Sequence, residues 1–280
     1  MIRLPHLLAI VCALALPAPA AQAAGVERPD FGGRQMIVYV PAHLPPSGAW
    51  ALVVVLHGGL GNADRIYSGG AEKGLNLDAL AEKDGFIVAY LNGTPVTRMM
   101  GAQFKGWNAG GGCCGVPAAE AVDDVGYITG AVGDLAGRYG IDRRRVFAIG
   151  HSNGAMMAQR MACETGVFAA IVAISGPLNL DVPSCPKGQG RRVLAIHGAD
   201  DANVPIQGGV GAKGLSKVAY RSEAASGRTW AASGAIYTLD VVQGADHFLD
   251  HIDARMQQAE GVTIGRKAAA FFGLQAGGEK

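Results

Sequence analysis

Read for hydrophobic and polar positions, the chain breaks into short, continuous apolar runs separated by stretches of helical period. The runs lie at residues 34–41, 51–56 (ALVVVL), 86–91 (FIVAYL), 145–149 (RVFAI), 170–174 (AIVAI), 193–196 (VLAI) and 236–242 (IYTLDVV). Apolar at consecutive positions, they suit strands covered on both faces. Helical spacing marks residues 75–84, 121–139, 155–163 and 263–274. Strands alternating with helices predict an α/β fold, a mostly parallel central sheet with helices on both faces. Such sheets carry their chemistry in loops at the carboxyl ends of strands, here after Leu56, Leu91, Ile149, Ile196 and Val242. The loop over residues 92–120 has 29 residues and seven glycines, too long for a simple connection, which predicts a functional or a mobile segment.

The N-terminus has a different pattern. Arg3 and His6 precede an apolar run over residues 7–16, then small residues ending in Ala21-Gln22-Ala23. This reads as a secretory signal peptide over residues 1–23. Its apolar stretch is far below the roughly 20 residues needed to span a bilayer, and no later segment qualifies, so an exported protein with no membrane span is expected. The remaining residues, 24–280, are expected to form one domain, since a single core of about 250 residues is within the ordinary range. With 24 Lys+Arg against 23 Asp+Glu and 49% hydrophobic residues, the chain is neither a disordered protein nor a polybasic nucleic-acid binder.

Cleavage near Ala23 removes Cys12 and leaves Cys113, Cys114, Cys163 and Cys185. An even count in an oxidising compartment predicts two disulfides. Three connectivities are open, one of which joins the neighbours Cys113 and Cys114, whose Cα atoms stand about 3.8 Å apart across a trans peptide. A zinc site is the rival, but no CxxC pair is present, so no metal is expected.

The strand at 145–149 runs straight into Gly150-His151-Ser152-Asn153-Gly154 and a helix-prone AMMAQRMA. This is G-x-S-x-G between strand and helix, the setting in which glycines permit a turn sharp enough to hold Ser152 Oγ above the sheet. A serine hydroxyl is a weak nucleophile and needs a histidine base, itself oriented by an acid. In chain order Ser, acid, His, the base is His247, delivered by the turn after residues 236–242; His251 lies further on, at a helix start. Seven acids fall between Ser152 and His247, but only Asp200 and Asp201 directly follow an apolar strand. Position alone does not separate these two. For a developing oxyanion, worth about 10² to 10³ in rate per donor, the candidates are the N–H of Asn153 and that of Gly59 or Leu60 in His57-Gly58-Gly59-Leu60. His57 is expected to pin that loop by hydrogen bonds.

With these pieces in order, the sequence resembles the secreted polyhydroxybutyrate depolymerase-like and feruloyl esterase-like proteins of the α/β-hydrolase superfamily. LHGGLGNA, GWNAGGGCCG, VDDVGYI, IDRRRVFAIGHSNGAMMAQRMACE, FAAIVAISG, HGADDANVP and GADH carry the resemblance, from Val53 to His247. It implies an α/β-hydrolase fold, a nucleophile at Ser152, a base at His247, an acid at Asp201 through the pattern H-G-x-x-D-x-x-V-P, and a Cys163–Cys185 disulfide. Two departures are His247-Phe248-Leu249, where the family often has Thr or Ser then Trp, and the lack of cysteines over residues 230–243.

The expectation is therefore a serine esterase with no cofactor, acting on small esters of hydroxyalkanoate or hydroxycinnamoyl type. With little chain beyond the last helix, no appended polymer-binding module is expected. Trp107 and Asn108 either line its substrate pocket or, for Trp107, anchor the glycine-rich loop. Asp123 and Asp124 read as helix-capping charges, Met156, Met157 and Met161 as packing beneath Ser152, and Trp230 as core. A peptidase on the same fold would usually need a further domain or cap, and an exported binding protein would be marked by a lost triad member; neither mark is present.

Overall fold

The computed structural model describes residues 25–44, 49–70, 72–99 and 101–275, so the leader expected over residues 1–23 lies outside the described residues. The central sheet has eight strands: β1 (Gly25–Glu27), β2 (Ile37–Val40), β3 (Trp50–Leu56), β4 (Ile87–Leu91), β5 (Ile141–His151), β6 (Ala170–Ile174), β7 (Arg192–Gly198) and β8 (Ile236–Val242). Their order is β1-β2-β4-β3-β5-β6-β7-β8. The β1–β2 and β2–β4 pairs are antiparallel, and the others are parallel.

The consecutive apolar residues of each strand feed two separate cores. In β3, Leu52, Val54 and Leu56 face one, with residues of α4 (Asp124–Tyr139), α5 (Asn153–Glu164) and α6 (Glu223–Ala232). Val53 and Val55 face the other, with α1 (Ala63–Tyr67), α2 (Asp78–Asp84), α7 (Leu249–Glu260) and α8 (Ile264–Phe272). The period of two along a strand thus sorts side chains between two helical layers. Met156, Met157 and Met161 are buried in the first core with Trp230, whose indole N–H donates to Gln159 Oε1 at 2.8 Å.

The boundaries depart from the sequence expectations where side-chain chemistry intervenes. The run at 34–41 divides, because Arg34–Gln35 turns back on Asp30–Phe31 through Gly32 and Gly33, both at positive φ, leaving Ile37–Val40 in the sheet. Helix α4 starts at Asp124 because Asp123 caps it, its side chain accepting from Gly126 N–H, and ends at Gly140 in the left-handed conformation. Asp124 does more than favour the helix dipole: it pairs with Arg34 at 2.5 Å and accepts from Asn108 N–H at 2.7 Å. The strand expected at 145–149 extends over Ile141–His151, pairing Trp50 with Ile141 at one end and Ile174 with His151 at the other. Helix α6 had no apolar period to announce it: Ser226 and Thr229 are buried there as polar residues, with Ser226 Oγ accepting from Leu178 N–H.

The long segment over residues 92–120 is not structureless. It folds a small hairpin, Thr94–Pro95 against Lys105–Gly106, and the short helix α3 (Gly115–Ala119). Cys113 and Cys114 are disulfide-bonded to each other across a cis peptide bond. The other bridge joins Cys163, at the end of α5, to Cys185, 22 positions on and ahead of β7. A loop of that length restricts the unfolded chain by about 3 kcal/mol. A Cys163→Ala/Cys185→Ala variant is expected to lose roughly 6–12 °C in Tm, read by thermal denaturation beside the parent.

Candidate active site

β5 delivers Ser152 into a turn that few side chains tolerate. Ser152 has φ 53° and ψ −120°, and its N–H donates to Ile174 O at 2.7 Å. A non-glycine residue at positive φ is a strained choice, held here because the surroundings leave nowhere else to go. The flanking glycines are required by contact. A Cβ on Gly150 would stand 2.5 Å from the carbonyl of Gly154, and one on Gly154 would stand 2.1 Å from Leu56 O. Both obstacles are backbone. Gly154→Ala is therefore expected to destabilise the fold by about 3 kcal/mol or more, read as a lowered urea midpoint.

Above this turn the structure brings three predicted residues into one hydrogen-bonded chain. Ser152 Oγ lies 2.9 Å from His247 Nε2, and His247 Nδ1 lies 2.7 Å from Asp201 Oδ2. Asp201 Oδ1 accepts from the N–H groups of Asn203 and Val204, each at 2.8 Å. Asp200 is exposed, and its N–H donates to Ala245 O at 2.9 Å. The acid and base loops are thereby stitched together, and Gly198 allows it: a Cβ there would meet Asp246 O at 2.3 Å. His251 is apart from this chain, paired at the surface with Asp246.

The loop after β3 lies against the turn, since a Cβ on Gly59 would come within 3.8 Å of Asn153 Cβ. Leu60 has φ 68°. His57 holds this loop as expected: its Nε2 accepts from Gly93 N–H at 3.1 Å while Nδ1 meets Gly58 O at 2.8 Å. Burial lowers its pKa to about 4, so the ring is neutral near pH 7.

Trp107 is fully buried, with its indole N–H donating to His57 O at 2.9 Å. Asn153 grips its backbone at both ends, Oδ1 accepting from Trp107 N–H and Nδ2 donating to Trp107 O. These contacts tie the fully buried Trp107 side chain to the loop after β3 and to the serine turn, which anchors the glycine-rich loop. Asn108 is half-buried, and its Nδ2 donates to Val122 O at 3.0 Å.

Four further residues complete the surroundings, and the sequence reading had given none of them a role. Glu72 Oε1 accepts from Gly58 N–H and lies 2.8 Å from His151 Nδ1, while His151 Nε2 lies 2.8 Å from His247 O. One buried pair thus ties together the loop after β3, the serine turn and the base loop. Burial opposes the charge on Glu72, but the hydrogen bonds from His151 outweigh it and hold its pKa below the usual value. His197 and Glu223 stand behind Asp201: His197 Nε2 is 3.2 Å from Asp201 Oδ2, and Nδ1 is 2.8 Å from Glu223 Oε1. His151 and His197 had a sequence signal, their place at the end of an apolar strand, whereas Glu72 and Glu223 had none.

These contacts set the charges. Burial works against ionised Asp201, but hydrogen bonds from His197 and His247 keep its pKa far below the usual range. Burial lowers the pKa of His247, with the neighbouring His151 and His197 adding to the effect against the pull of Asp201. The arrangement is a neutral imidazole beside a hydroxyl, backed by a permanent carboxylate, which is suited to removing the hydroxyl proton. Among the described residues no group of three or more His, Cys, Asp or Glu side chains could hold a metal ion, and no helix is long and apolar enough to cross a membrane.

No protein-family model matches the chain. It is 31% identical over 159 residues to the putative esterase NocK of Nocardia uniformis subsp. tsuyamanensis, covering 56% of this chain and 42% of that one. To feruloyl esterase B of Piromyces equi it is 25% identical over 184 residues, covering 63% of this chain and 31% of the relative. The chain thus spans less than half the length of these two relatives. Among solved structures, the acetyl xylan esterase from Aspergillus awamori superposes with a TM-score of 0.57 at 17% identity, covering 90% of this chain and 100% of that one. The strand order, the helices on both faces and this superposition together establish that the chain has the α/β-hydrolase fold, with sequence relationship to feruloyl esterases.

Proposed function

We propose that the protein is a serine carboxylic-ester hydrolase. The observation that carries this reading is the unbroken chain from Ser152 Oγ through His247 to Asp201 above a turn whose glycines cannot be replaced without backbone collision. Ser152 Oγ attacks the ester carbonyl while His247 Nε2 takes its proton. Asp201 fixes the tautomer with Nδ1 protonated and stabilises the imidazolium that forms. The N–H groups of Asn153 and of Gly59 or Leu60 receive the developing oxyanion. The tetrahedral intermediate then collapses, the alcohol leaves with the proton from His247, and a water molecule repeats the sequence on the acyl-enzyme.

The substrate class proposed is a small hydroxycinnamoyl or hydroxyalkanoate ester. The feruloyl esterases among the sequence relatives favour the first, and the motif resemblance admits the second. The leader pattern and the two disulfides support action outside the cytoplasm. Hydrolysis of a short-chain nitrophenyl ester by the parent and by Ser152→Ala tests the reaction, followed by methyl ferulate, methyl 3-hydroxybutyrate and a peptide anilide. An inactive parent, or an anilide turned over as fast as the esters, would overturn the esterase reading.

A further inference from the structure

The buried histidine behind Asp201 has an unusual set of neighbours. His197 is fully buried. Its Nδ1 faces Glu223 Oε1 at 2.8 Å, and its Nε2 faces Val204 O at 2.9 Å and Asp201 Oδ2 at 3.2 Å. All three partners are acceptors. A neutral imidazole always turns one lone pair outward, and either tautomer would set that lone pair against a carboxylate in a dry interior. With both carboxylates ionised, only the doubly protonated ring satisfies every contact. Beyond it, Glu223 Oε2 accepts from Tyr237 O–H at 2.6 Å, which closes the chain on β8.

We propose that His197 is a permanently charged positioning residue, whose imidazolium sets the charge against which His247 gains its proton. The inference rests on the esterase reading of Ser152, His247 and Asp201. Counting charges makes the consequence plain. Asp201 and Glu223 are negative and His197 positive, which leaves one net negative charge while His247 is neutral. The proton that His247 takes from Ser152 balances that charge. Were His197 neutral, two negative charges would face His247, which would then hold its proton too tightly to return it to the leaving alcohol. Asp201 and Glu223 together keep His197 charged, and Tyr237 satisfies the remaining oxygen of Glu223. Burial opposes the charge on His197, but the hydrogen bonds it donates to Asp201 and Glu223 raise its pKa to about 9. The other titratable group facing His247 is His151, paired with Glu72, and the hydroxyl of Tyr220 lies within electrostatic reach of Asp201.

The inference is tested by the protonation state of each histidine and by the acidic limb of the kcat/KM profile, which reports the base of the free enzyme. In parent protein labelled with ¹³C,¹⁵N-histidine, the His197 ring signal, assigned by correlation to its own backbone, is expected to show an imidazolium at pH 7 and to titrate near pH 9. Removing the cation in His197→Gln is expected to move the acidic limb up by about one pH unit. In Glu223→Gln an amide oxygen can still accept from Nδ1 and Asp201 still faces Nε2, so His197 is expected to stay charged and the limb to move down by a similar amount. A purely structural role would lower Tm in both variants and leave both limbs in place. Neutral His197 at pH 7 overturns the proposal even if neither variant folds, and so do limbs that stay put or move the same way. If the parent hydrolyses no ester, the esterase reading fails, while the ¹⁵N spectrum still reports the charge on His197.

Discussion

Ser152→Ala is expected to lower kcat/KM for a short-chain nitrophenyl ester by about 10⁶-fold, with the fold and KM little changed. The size of the loss follows from how the site divides its labour. Without Oγ there is no nucleophile for His247 to activate, so no acyl-enzyme forms. What survives is the orienting and oxyanion contribution, about 10³ to 10⁴ over water. Folding should be preserved because the positive φ at residue 152 is imposed by the surrounding backbone, and alanine adds no atom to the turn. Rapid mixing of parent protein with the ester should show a burst of nitrophenol equal to the enzyme concentration, and the variant should show none. A variant that kept a tenth of the parent activity would remove Ser152 from the mechanism.

The second large effect separates two adjacent carboxylates. Asp201→Asn is expected to reduce kcat by about 10⁴-fold near pH 7, and Asp200→Asn to change it by less than about twofold. Asp201 accepts from His247 Nδ1 and holds the proton there, leaving the Nε2 lone pair toward Ser152. An asparagine amide can instead donate to Nδ1, which moves the proton to Nε2 and leaves no base facing the serine. Asp200 is exposed, and its one fixed contact is through its backbone N–H, which asparagine retains. Equal losses in the two variants would show that loop integrity, not the tautomer of His247, is what matters at this position.

The parallel strands were legible because their apolar runs are uninterrupted, and Ser152 and His247 were legible because a strand, a glycine turn and the chain order all converge on them. Choosing Asp201 over Asp200 needed the resemblance. Adjacent residues in a loop point in different directions, and periodicity does not extend past the end of a strand. Glu72 was illegible for another reason. It stands in GGAEKG, which reads as a solvated turn, and its partner His151 lies 79 positions away. His197 and Glu223 are 26 positions apart on a strand and a helix whose packing no local pattern states. Trp107 was readable as a pocket wall or an anchor, and neither its burial nor its hydrogen bonds to His57 and Asn153 are written in the local pattern.

Ser152 directly follows β5, while His247 follows β8, three strand spacings away, about 14 Å. The base loop therefore reaches back across the ends of β7 and β6, where His151 at the end of β5 meets His247 O. Gly176, two positions beyond β6, packs against the serine turn itself, where a Cβ would lie 2.4 Å from Ser152 O. The base loop is thus an arch with one foot at the serine turn, and the connection after β6 is pressed against that foot. For anyone diversifying this scaffold, insertions directly after β6 would press on the serine turn. In the long segment between β7 and α6, residues 201–204 hold the acid and its backbone donors, so added length belongs beyond Val204, toward the exposed Gly209–Val210.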